Sequence, residues 1–227
     1  MPGDSTPDDG IGAGYRTRII DLKLNGHDYR IRALADRQQY ADPDGLAEWA
    51  GISSAQWSLF GQLWPAGRIL AGAMAVFDIA GKRILEVGCG LGLASLVLQR
   101  RRADITASDH HPLAERFLRD NAARNGLPVI AYRDLPWPID DAPLGRFDLI
   151  IGSDVLYERQ HVAQLAALLR RHARAGAEIM IADPGRGFGN LLSHALHDQD
   201  YTVDATRCAF DEDERAPYRG RLLRYRR

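Results

Sequence analysis

Gly88, Gly90 and Gly92 stand at alternate positions after the apolar run Ile84-Leu85-Glu86-Val87 and lead into a helical pattern over 91–101. Glycine is costly to keep ordered, so three of them in one turn predict a backbone that must approach something closely. A dinucleotide fingerprint needs G-x-G-x-x-G. Counted from Gly88, its third glycine falls on Leu93, and the Gly-Lys-Ser/Thr of a phosphate-binding P-loop is absent. The spacing argues against a pyrophosphate and for a nucleoside-like ligand without phosphates. Two acids agree. Glu86 precedes the first glycine, where it either meets the ligand or steadies the amides of the loop. Asp109 ends the next apolar run, 19 residues after Gly90. A carboxylate there can accept both ribose hydroxyls.

The elements around this turn alternate. Strands are expected at 83–87, 104–108, 128–132, 147–153 and 177–183, with helices over 91–101, 112–124, 161–173 and 188–198. Such alternation implies right-handed crossovers and a mostly parallel sheet covered on both faces, with ligands at the carboxyl ends of its strands. The segments 201–208 and 220–226 are expected to close the sheet as an antiparallel hairpin, its basic "RGRLLRYRR" forming a solvated edge strand rather than an RNA contact. The loop between them, "DEDERAP", reads as solvated. Ahead of the sheet, Ile20, Leu22 and Leu24 alternate with polar residues, as do Tyr29 and Ile31 after Asn25-Gly26. Asn-Gly favours a type I′ turn, predicting a hairpin that pairs Leu22 with Tyr29 and Ile20 with Ile31. Short helices and the aromatics Trp49, Trp57 and Phe60 follow as a cap segment. The expected organisation is a disordered tail over 1–14, a hairpin and cap over 15–63, and the α/β sheet domain over 64–227.

The string "LEVGCGLG" together with Asp109 resembles motif I and the following acidic motif of seven-strand S-adenosylmethionine (SAM) methyltransferases, over roughly residues 60–226. "LWPAGRILA", "LPWP" and "SDVLY" resemble one branch of that family. This branch holds protein-lysine methyltransferases, among them those acting on the electron transfer flavoprotein beta subunit, on chaperones and on elongation factors. Its Asp/Glu-x-x-Tyr/Phe signature is matched by Asp154-Val155-Leu156-Tyr157. The resemblance implies a Rossmann-like seven-stranded α/β fold with an antiparallel final hairpin. It also implies SAM as cofactor and S-adenosyl-L-homocysteine as product. The cofactor residues it implies are Trp64, Glu86, Gly88, Gly90, Gly92, Asp109, Trp137 and Ser153. Asp154 and Tyr157 are the implied catalytic residues, although at i and i+3 they also suit the start of a helix. Trp64 and Trp137 equally suit a core, and Ser153 a crowded strand end.

Methyl transfer from a sulfonium needs alignment more than a covalent nucleophile. A lysine acceptor must first lose its proton, which a poorly hydrated aromatic pocket favours. The leading expectation is N-methylation of a lysine in a protein partner. A small-molecule amine, such as a nicotinamide-like ring, and a catalytically silent SAM-binding module stand as alternatives. "SDVLY" differs from the Asn/Asp-Pro-Pro-Tyr/Phe of methyltransferases acting on DNA bases, and a net charge of −1 brings no bulk attraction to nucleic acid or anionic membrane. His194 and His197 share a helical face without metal partners, so no metal is expected. Cys89 reads as packed, and His110-His111 as surface residues or neighbours of the adenine. Two cysteines form no disulfide framework, no apolar run approaches the roughly 20 residues of a membrane span, and the first residues lack the features of a signal peptide. A cytoplasmic protein is expected.

Overall fold

A computed structural model describes residues 15–137, 144–208 and 220–227. The expected tail over 1–14 and the "DEDERAP" loop lie outside them. The chain opens with β1 (Thr17–Leu24) and β2 (His27–Leu34), an antiparallel pair in which Leu22 faces Tyr29 and Ile20 faces Ile31, as the Asn-Gly spacing predicts. Asn25 and Gly26 both adopt positive φ, 48° and 80°, the requirement of a type I′ turn. A short helix α1 (Leu46–Trp49) and a 3-10 turn at Ser54–Leu59 carry the chain to α2 (Pro65–Val76), which starts on a proline whose missing N–H costs nothing there.

The main sheet follows: β3 (Arg83–Val87), α3 (Leu93–Arg100), β4 (Asp104–Asp109), α4 (Ala114–Arg124), β5 (Ala131–Asp134), β6 (Phe147–Ser153), α5 (Arg159–His172), β7 (Ala173–Asp183), α6 (Phe188–His197), β8 (Thr202–Arg207) and β9 (Arg221–Arg226). Its order is β5-β4-β3-β6-β7-β9-β8. The first five of these strands run parallel, and β9 is antiparallel to both its neighbours. The order reverses between β3 and β6, where ligands bind in open α/β sheets.

Period-two alternation divides the core. Ile84, Leu149, Ile151 and Met180 point into a cluster shared with α2, α3 and α4, whereas Leu85, Val87, Ile150 and Ile179 point into a second cluster under α5 and α6. Tyr29 and Ile31 of the hairpin join the first cluster. Two asparagines, one on α4 and one at its C-cap, fasten the hairpin there. Asn121 accepts the backbone N–H of Arg32 at 2.7 Å and donates to its carbonyl at 3.3 Å, and Asn125 does the same for Arg30, each at 2.9 Å. The two amides thus satisfy backbone groups that β2 would otherwise leave unpaired.

Two expectations need correction. The third core strand begins at Ala131 rather than 128, because Pro128 has no N–H to give and Val129 is exposed, so the ladder with β4 starts at Thr106–Ala131. The basic C-terminal strand is not the edge. β9 lies between β7 and β8, and β8, exposed along its whole length, takes the rim. Acids on β7 explain the arginines: Glu178 receives Arg224 and Arg226, and Asp183 faces Arg221 at 3.5 Å.

Candidate active site

At the carboxyl ends of β3, β4 and β6 the chain encloses a cavity of about 380 Å³. One side is the main sheet, with Gly88, Gly90, Asp109, Ser153 and Asp154; the other runs from Ala50 through the end of the cap segment to Trp64. The cap is attached across the cleft. The Gln56 amide donates to Glu158 just before α5, 102 residues away. On the opposite flank the Phe60 ring stacks on His111, centroids 3.6 Å apart and nearly parallel, and Tyr40 meets the same imidazole edge-on at 4.8 Å.

Gly90 takes φ 52°, and a Cβ built on it would meet nothing within 4 Å, so the main chain opens directly onto the cavity. Gly92 serves differently. It caps α3 at φ 80°, and a Cβ there would fall 2.2 Å from Leu118 Cδ1, so its bareness lets α4 pack against the turn. Of the residues named from sequence, Trp64, Gly88, Gly90, Asp109, Trp137, Ser153, Asp154 and Tyr157 line the cavity; Glu86 and Gly92 do not. The Glu86 carboxylate is buried behind the turn and accepts both the backbone N–H and the hydroxyl of Ser95. Burial raises its pKa to about 7 despite those donors, and the nearby Asp109 charge adds to the rise.

Asp109 is also engaged. Its Oδ2 accepts the Gly90 N–H at 2.8 Å, and its Oδ1 accepts those of His110 and His111 at 2.8 and 2.9 Å. A carboxylate offers about four lone-pair sites, so one acceptor position remains for a ligand hydroxyl, rather than a pair for both ribose hydroxyls. An open glycine backbone, this acid and the indoles of Trp64 and Trp137 form a cradle that suits an adenosyl group. The Trp64 indole is held by a 2.8 Å bond to the Leu59 carbonyl, with the Arg37 guanidinium 4.9 Å above the ring.

Further along the wall, His161 wedges between Tyr157 and Trp137, edge-on to both at 4.4 and 5.7 Å. Desolvation lowers the pKa of its imidazole, so the ring is neutral at pH 7. Beside this group stands Asp154, with φ 51° and its N–H bonded to the Ala182 carbonyl. Arg186, from the loop after β7, grips it with two bonds of 2.8 Å, Nε to Oδ1 and Nη2 to Oδ2. Sequence reasoning missed Arg186, His161 and Gln56. The signal for Arg186 was "ADPGRG", visible after the β7 run but without an evident partner. Cys89 is packed in the turn with its thiol pKa pushed well up by burial, and no cluster of three metal-ligating side chains occurs among the described residues.

A family described as lysine methyltransferase matches residues 53–189, more than half of the chain. The chain belongs to the lysine methyltransferase family. Its cofactor is SAM, for which the open turn, Asp109 and the two indoles provide a fitting site. This lysine methyltransferase is 30% identical over 163 residues to the protein N-lysine methyltransferase METTL21A of Danio rerio, covering 66% of this chain and 73% of that one. It is 28% identical over 134 residues to the electron transfer flavoprotein beta subunit lysine methyltransferase of Xenopus laevis, covering 57% of this chain and about half, 52%, of that one. Among solved structures, the T. thermophilus 16S rRNA methyltransferase in complex with AdoMet and guanosine superposes with a TM-score of 0.60 at 15% identity, over 93% of this chain and 50% of that chain. At that identity the likeness shows the fold alone. No helix among the described residues is long and apolar enough to cross a membrane.

Proposed function

We propose that the protein transfers the methyl group of SAM to the side-chain amine of a lysine in a protein substrate. The observation that carries this reading is one wall of the cavity. Trp137, Tyr157 and His161 form an aromatic face beside the carboxylate of Asp154, in the same cleft as Gly90 and Asp109. Relatives named as protein N-lysine methyltransferases support a protein acceptor. Bound SAM supplies a methyl group on a sulfonium, which an amine lone pair takes in line as the S–CH3 bond breaks and N–CH3 forms.

The chain's own contribution is alignment, which supplies about 7–11 kcal/mol in well-oriented reactions. Gly90 and Asp109 hold the adenosyl end, and Trp64, Trp137 and Ser153 bound it. Tyr157 packs along the acceptor's methylene chain. An alkyl amine with an ordinary pKa of about 10.4 must lose its proton before attack; the weakly hydrated aromatic face and the neutral His161 ring favour the uncharged form. Asp154 accepts a hydrogen bond from that amine and orients its lone pair. Two unbridged cysteines suit a reducing compartment such as the cytoplasm.

The test is incubation of the purified chain with methyl-tritiated SAM and a cell lysate. Label is expected in a protein band whose acid hydrolysate yields methyl-lysine. Label confined to small molecules would replace this reading by amine N-methylation of a metabolite, and no label at all by a silent SAM-binding module.

A further inference from the structure

Asp154 is unusual among the cavity's acids in two ways. It is a non-glycine residue at φ 51°, a region that side chains other than glycine enter at a cost and that is characteristic of functional sites. Its side chain is only 9% exposed, and among the described residues it has a single salt-bridge partner, Arg186, with a two-pronged grip at 2.8 Å on each oxygen. The planar fork of an arginine matches a carboxylate in this way and a lysine cannot. Arg186 itself lines the cavity. It rides on a short loop between Asp183 at the end of β7 and the start of α6, with glycines of positive φ on either side of it, Gly185 at 89° and Gly187 at 96°. Asp183 is buried, and its charge adds to the field that Asp154 sets on the guanidinium.

We infer that Arg186 is a positioning residue for Asp154: its fork fixes the carboxylate in one orientation against the cavity wall and neutralises it before any acceptor arrives. This inference rests on the proposed role of Asp154 toward an amine. It adds two consequences. With one lone pair on each oxygen committed to Arg186, the carboxylate meets the acceptor through those that remain, so the direction of the amine is set by the fork. With both oxygens held by the guanidinium, the carboxylate serves orientation alone, and the ammonium form of the acceptor releases its proton to water before entry. The neutral amine then forms its N–CH3 bond as the S–CH3 bond breaks, and the product is a methylammonium and a neutral thioether.

The experiment compares wild type, R186A and R186K in the tritium-transfer assay with a lysate as acceptor source, with SAM affinity measured separately by calorimetry. R186A is expected to bind SAM as wild type does while its turnover at saturating lysate falls roughly a hundredfold, the scale of a misplaced reacting group. Millimolar guanidinium added to R186A is expected to restore part of that loss. R186K, which keeps the charge without the fork, is expected to fold if R186A does not and to turn over at an intermediate rate. Wild-type turnover by R186A or R186K, or a slow R186A that guanidinium leaves unchanged, would overturn the inference and leave the proposed function standing. A wild-type chain that labels no protein would remove the proposed function first, and the inference with it.

Discussion

The backbone N–H of Gly90 donates to Asp109 Oδ2 at 2.8 Å. The bare turn after the first core strand and the acid ending the second are therefore fastened to each other within the chain, and the cradle proposed for the adenosyl group is already built without it. Preorganisation of this kind lowers what binding must spend on ordering the site.

Asp109→Ala should act on both counts. Its removal strands three N–H groups, those of Gly90, His110 and His111, and deletes the acceptor proposed for the ligand. SAM affinity is expected to fall by about 1.5–3 kcal/mol, the range for a hydrogen bond to a charged group, and the melting temperature to fall with it. Calorimetry that finds affinity unaltered would take Asp109 out of cofactor binding.

Glu86 predicts a stability slope. Its pKa is raised in the fold to about 7 from 4.5, so between those values the native state holds a proton that the unfolded chain releases. Stability contributed by this group is full below about 4.5 and is lost as pH rises through about 7. Denaturant melts of Glu86→Gln against wild type should show the variant gaining relative stability over that window. A constant difference from pH 4.5 to 7.5 would contradict the buried, protonated carboxyl.

His111 gives a slope of the opposite sign at lower pH. Burial lowers its pKa to about 4, with Asp109, His110 and Asp42 as its charged neighbours, so below 6.5 the unfolded chain takes up a proton that the fold refuses. Stability falls as pH drops from 6.5 toward 4, by an amount on the order of 3 kcal/mol if the shift is fully expressed. His111→Phe keeps a ring against Phe60 and removes the titration, so its melts should lose that acid dependence. Equal pH slopes in variant and wild type would refute it.

Gly92→Ala should destabilise the fold without touching the cavity. The added methyl would meet Leu118 Cδ1 at 2.2 Å and hold a side chain at φ 80°. Overpacking of this kind costs typically 1–3 kcal/mol, and the left-handed conformation adds about 1–2 kcal/mol. Thermal melts should show the loss, while SAM affinity of the folded fraction stays at the wild-type value. A variant as stable as wild type would mean that α4 moves freely.

Gln56→Ala should loosen the cap. The amide reaches Glu158 across the cleft, so without it SAM is expected to dissociate several-fold faster, in keeping with the control that closing segments exert on release. Stopped-flow measurement of an unchanged dissociation rate would show that the cap does not depend on this bond.

The amino-acid sequence by itself determined the alternation of strands and helices, the hairpin register about Asn25-Gly26, the glycine turn and Asp109. These are matters of local periodicity and spacing, and short-range sterics and burial suffice to impose them. Even the pairing of Leu22 with Tyr29 needs only a two-residue turn. The tertiary structure alone decided which distant groups meet. Arg186 reaches Asp154 across 32 residues, Gln56 reaches Glu158 across 102, and Asn121 bonds the Arg32 backbone across 89. It also turned Glu86 away from the cavity onto Ser95 and placed β9 inside the sheet against the acids of β7. No periodicity carries that information, because a carboxylate's partner is chosen by geometry and desolvation once the layers have packed.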